Sequence, residues 1–110
     1  MRQPILRDVV SRTSYSLPAW PHRHHYYWKN TNLLLQRYPG AIGIKTGWTP
    51  EAGECLLFEA VHRRKVLIGV VLDSSPTNSG VSFVDAAKLL NWAFGLNVPI
   101  PPPTAAREMP

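Results

Sequence analysis

The chain has 110 residues, 45% of them apolar and 17% charged, with a formal charge of +5. That is one domain at most, with enough apolar material for a core, which excludes a multidomain chain and a disordered tail. No apolar run approaches the ~20 residues of a membrane-spanning helix, the first ten residues lack a signal peptide's apolar stretch, and the lone Cys55 excludes both an internal disulfide and a four-cysteine metal site.

In chain order, residues 2–12 predict a short helix, with Ile5, Leu6, Val9 and Val10 on one apolar face. Thr13 to Leu17 alternates and reads as a strand. The run Pro18-Ala19-Trp20-Pro21 breaks any regular element, and His22 to Lys29 reads as a polar and aromatic loop. Asn32 to Tyr38 reads as a helix with Leu33, Leu34 and Tyr38 on its apolar side, stopped by Pro39-Gly40. Three strands follow: Ala41 to Thr49, then Glu54 to His62 and Lys65 to Leu72 as a hairpin turned by Arg63-Arg64. The last two are apolar on both faces, so helices are expected above and below the sheet. Ser82 and Asp85 resemble a capping box opening a final helix. Its buried stripe is Phe83, Ala87, Leu90 and Phe94, and Gly95 is the expected terminator. Five of the eleven prolines lie in the last twelve residues, which predicts a loosely held extended tail. There is no internal repeat.

The charge is local. Residues 1–37 carry Arg2, Arg7, Arg12, Arg23, Lys29 and Arg37 against Asp8 alone, and the remainder is neutral. A basic patch attracts polyanions, but these charges are spaced singly, as on a solvated surface, so no nucleic-acid partner is expected. His22, His24 and His25 have no Asp, Glu or Cys beside them and read as a loop cluster rather than a metal site. Cys55 reads as a small buried apolar residue, and Glu51 and Glu54 as solvated residues flanking a turn.

The triplet Lys45-Thr46-Gly47 lies in the first of the three consecutive strands. Alone it is a weak signal, equally at home as an edge-strand lysine beside a bulge glycine. It is also one of three motifs of penicillin-binding serine acyl-enzymes, where it lines the active site from a strand. Around it stand Asn30-Thr31-Asn32-Leu33-Leu34, Tyr38-Pro39-Gly40, Gly43-Ile44-Lys45-Thr46-Gly47-Trp48-Thr49 and Ala52-Gly53-Glu54-Cys55-Leu56. Val70-Val71-Leu72, Phe83-Val84-Asp85-Ala86 and Leu89-Leu90-Asn91-Trp92-Ala93-Phe94 follow. This run resembles the C-terminal part of a serine-type D-alanyl-D-alanine carboxypeptidase of peptidase family S11, the low-molecular-mass penicillin-binding proteins.

The resemblance implies an α+β fold, an antiparallel sheet with helices on both faces (β-lactamase/transpeptidase-like). Residues 1–96 would be a portion of the catalytic domain and 97–110 a proline-rich tail. It implies that Lys45 places an ammonium in the cleft and that Thr46 offers a hydroxyl to the substrate carboxylate. Gly47 would let the substrate lie along the strand, and the backbone N–H of Trp48 would be half of an oxyanion hole. The implied partners are the D-Ala-D-Ala stem peptide of peptidoglycan and β-lactams, both in the complete parent. The implied location is the cell envelope, with membrane proximity only through the parent. No metal or cofactor is implied.

The nucleophile is not here. None of the seven serines has Lys three residues on or Asn two residues on, so the Ser-x-x-Lys and Ser-x-Asn motifs are both missing. The chain is therefore expected to be inactive alone. Ser82 stands where the family often has an arginine near the substrate carboxylate. A class A β-lactamase shares the Lys-Thr-Gly strand, but the Asn-Thr-Asn-Leu-Leu and Tyr-Pro-Gly segments favour the carboxypeptidase. The other rival is a binding module that uses the basic first third without catalysis.

Overall fold

The structure, a computed structural model, describes residues 1–19, 21, 24–76 and 80–100. The elements run α1 (Pro4–Ser11), β1 (Ser14–Leu17), β2 (Tyr26–Lys29), α2 (Leu34–Arg37), β3 (Ala41–Thr49), β4 (Gly53–His62), β5 (Lys65–Val71) and α3 (Val81–Phe94). The α+β class is as the resemblance implies. β3, β4 and β5 form one antiparallel sheet in that order, and β1 and β2 form a separate hairpin. Tyr26–Lys29, expected as loop, is strand. Its aromatic side chains suit a pleated surface, and it pairs from Ser14↔Lys29 to Leu17↔Tyr26.

The core lies between the sheet and α3. Leu56, Phe58 and Ala60 alternate along β4 and meet Phe83, Ala86, Ala87 and Leu90 of α3, with Leu34 and Tyr38 closing one end. This is period-2 alternation meeting a helical stripe. Gly69 on β5 lies under the Phe58 ring: a Cβ there would sit 2.3 Å from Cζ, so only glycine admits the ring. Gly95 ends α3 in the left-handed conformation, φ 68°, as expected of a terminator. After it, Asn91 holds the backbone of Val98 from both sides, and Val98 and Ile100 pack on the core. The proline tail beyond residue 100 lies outside the described residues.

The opposite face departs from expectation. α1 covers only the β3 end, where Val10 and Met1 approach Gly43. Beside them Glu59, fully buried, carries the ammonium of Met1. Val66, Ile68, Val70 and Leu72 stand 54–70% exposed on this side, and Ile5, Leu6 and Val9 of α1 are exposed as well. The rule that a doubly apolar strand is covered on both faces holds for a complete domain, and this chain supplies one cover.

The start of α3 also differs. Ser82 is not its N-cap: Gly80 is, with no capping side chain of its own. The carboxylate of Glu54 caps the helix from β4, accepting hydrogen bonds from the N–H of Gly80 (3.0 Å), the N–H of Ser82 (3.3 Å) and the Ser82 hydroxyl. Glu54, expected to be solvated, is therefore buried.

Candidate active site

The segment Asn30-Thr31-Asn32 is a splice. Asn30 donates from Nδ2 to the carbonyls of Val10 and Arg12, fastening the hairpin to the end of α1. Its Oδ1 accepts from the N–H of Asn32, whose Oδ1 accepts from the N–H of Leu34 and so opens α2. These local side-chain bonds fix the turn that aims Thr31 at the sheet. Its Oγ1 lies 2.9 Å from Oγ1 of Thr46.

Lys45, Thr46, Gly47 and Trp48 lie together on β3, an edge of the sheet. They face Leu57, Leu56, Cys55 and Glu54 of β4 in register. Among the described residues no strand pairs with the outer edge of β3. The Lys45 side chain is exposed, and its Nζ donates to the carbonyl of Thr46. Thr46 is half-buried and keeps its hydroxyl on Thr31. A Cβ on Gly47 would meet nothing within 4 Å, so the space over the strand is open there. The Trp48 indole donates to the carbonyl of Pro76 at 3.0 Å, joining the strand to the loop before α3. That loop is held in turn by Glu54, whose backbone exchanges hydrogen bonds with Ser74 and Ser75.

An exposed ammonium, a hydroxyl, a bare glycine and an unpaired strand edge can receive an extended peptide ending in a carboxylate. Ser82 stays outside this arrangement, buried on Glu54. Thr31 joins it, a residue the sequence reading quoted without giving it a role; its signal was its place between the two asparagines. Cys55 is half-buried rather than buried. His24 and His25 are exposed, and His22 lies outside the described residues.

This arrangement of antiparallel sheet and helix is that of part of the penicillin-binding protein fold. The family model for D-alanyl-D-alanine carboxypeptidase, peptidase S11, matches residues 5–76, and the chain belongs to that family. It is 51% identical over 100 residues to the D-alanyl-D-alanine carboxypeptidase of Streptomyces sp. strain K15, covering 87% of this chain and 34% of that protein. The crystal structure of the Streptomyces K15 DD-transpeptidase superposes with a TM-score of 0.75 at 39% identity, over 87% of this chain and 37% of that one. Penicillin-binding protein D2 of Listeria monocytogenes, in its ampicillin-bound form, superposes with a TM-score of 0.71 at 29% identity, over 84% of this chain and 35% of that one. The chain thus spans about a third of the length of these relatives.

Proposed function

We propose that this chain forms the Lys-Thr-Gly wall of a serine-type D-alanyl-D-alanine carboxypeptidase, with residues 1–96 in the catalytic domain and 97–110 as its tail. The observation that carries the reading is the open edge at Lys45–Gly47, with its exposed ammonium and its hydroxyl bridged to Thr31. The peptide enters as an added strand along β3, where bare Gly47 lets its backbone approach. Its terminal carboxylate is held by the Lys45 ammonium and the Thr46 hydroxyl. A serine from the rest of the domain attacks the carbonyl carbon, D-alanine leaves with a proton, and water then cleaves the ester. The backbone N–H of Trp48 and that of the serine stabilise the oxyanion. The substrate is the stem peptide of peptidoglycan, and β-lactams acylate the same serine. The ampicillin-bound Listeria relative supports the second point. The site of action is the cell envelope. Among the described residues no helix is long and apolar enough to cross a membrane.

The test is a chimera in which this chain replaces the matching third of the Streptomyces K15 enzyme. It should be acylated by a labelled penicillin, and Lys45→Ala should slow that acylation by about 100-fold, the scale of a lost charge-stabilising group. The 110-residue chain alone should show no adduct by mass spectrometry. An acylated chimera indifferent to Lys45→Ala removes the assigned role.

A further inference from the structure

The β1–β2 hairpin carries an aromatic surface that the proposed reaction does not use. Tyr15, Leu17, Tyr26 and Trp28 share one face by the pairing register. Trp28 stacks on Tyr26 with ring centroids 5.7 Å apart and planes 13° apart, and lies 6.1 Å from Tyr15. The Arg12 guanidinium sits 5.8 Å over the Tyr15 ring, held there by its ion pair with Asp8. The rings fix one another, yet Tyr15, Tyr26 and Trp28 remain 45–50% exposed.

The composition of this face says what it can hold. The uncovered face of β5 and α1 is aliphatic, the chemistry of a protein core. The hairpin instead presents rings with polar tips (two phenols and an indole N–H), the side chains of wet interfaces. Among the described residues the cation on this face is Arg12, already paired with Asp8, and Lys29 lies on the opposite face with Tyr27. The described part of this face therefore offers a polyanion no unpaired positive charge. A neutral ring with an apolar C–H face and a rim of hydroxyls matches it, and that is a pyranose.

Position adds the second half. Trp28 precedes Thr31 by three residues, about 10 Å along an extended chain, and Thr31 touches Thr46 of the proposed peptide site. We infer that the Tyr15–Trp28–Tyr26 surface binds amino-sugar units of the glycan strand whose peptide arm is received at Lys45–Thr46. This inference rests on the proposed function for the identity of the polymer. The stacked rings are preorganised, so binding costs little side-chain ordering.

The test uses the full chain and two probes: glycan strands freed of peptide by an amidase, in co-sedimentation, and soluble N-acetylglucosamine tetramer, in calorimetry. Binding to both is expected, with little change between low and high salt. Trp28→Ala should weaken it at least fivefold, and Trp28→Phe, which keeps a ring, should retain most of it. Tyr27→Ala on the other face should leave it unchanged. No binding overturns the inference, as does binding indifferent to Trp28→Ala. Equal, steeply salt-dependent binding to single-stranded DNA also overturns it, in favour of a polyanion site. Sedimentation reads the hairpin alone and penicillin acylation of the chimera reads Lys45 alone, so either reading can fail visibly without the other.

Discussion

Glu54 shows how one side chain joins two distant parts of the chain. It stands at the start of β4 and satisfies buried N–H groups at the start of a helix 28 residues later. A carboxylate there also complements the positive end of the helix dipole. Glu54→Ala should cost about 2–3 kcal/mol in urea unfolding, because two backbone donors lose a charged partner. Glu54→Gln keeps an acceptor oxygen and should cost less. Tyr38 gives a pH-dependent counterpart. It is buried, and its hydroxyl donates to Oδ1 of Asn91 at 2.9 Å. Burial raises its ionisation above the ordinary tyrosine range. The folded state then keeps a proton that the unfolded state releases above pH ~10, so this contribution is present below pH ~10 and is lost as pH rises through the folded value. Tyr38→Phe should cost about 1 kcal/mol at neutral pH, and its deficit against the parent chain should close in alkaline solution. A deficit constant with pH would sink the account.

Among the elements, β4 and β5 carry the packing argument. Phe58 fills the space that Gly69 leaves, so Gly69→Ala forces the ring aside and should destabilise by about 1–3 kcal/mol in denaturant titration. Phe58→Leu in the same chain should recover part of that loss. The sequence made these two strands, β3 and α3 legible because their apolar residues repeat at two and at three-to-four, and Gly95 marks the stop. Lys45, Thr46 and Gly47 stand out as a candidate site only through the run of segments around them. β2 escaped because Tyr26-Tyr27-Trp28-Lys29 has no apolar alternation to distinguish it from a loop. The cap escaped because its acceptor, Glu54, is far from Ser82 in sequence and near it only in the fold. The uncovered face escaped because periodicity marks which residues seek cover, and not whether the chain contains enough elements to provide it.

For the whole molecule, the uncovered face is the dominant fact. Val66, Ile68, Val70 and Leu72 on the sheet and Ile5, Leu6 and Val9 on α1 expose an apolar surface. The isolated chain should bind a hydrophobic dye and elute above its 12.4 kDa mass. Ile68→Asp should reduce both effects while leaving the far-ultraviolet dichroism unchanged. A monomeric chain that ignores the dye would show that this face is not free in solution.

The sheet is open along β3 on one side and along β5 on the other, among the described residues. The first opening is one that a ligand can use. Together they leave two edges that can meet, since the β5 edge of one copy can accept the β3 edge of the next, and such a head-to-tail contact grows into an open filament unless its rotation closes a ring. The charge of Lys45, lying on the β3 edge, opposes this growth. Removing it frees a template, and the polymer state of the chain becomes sensitive to the residue on which the proposed chemistry depends.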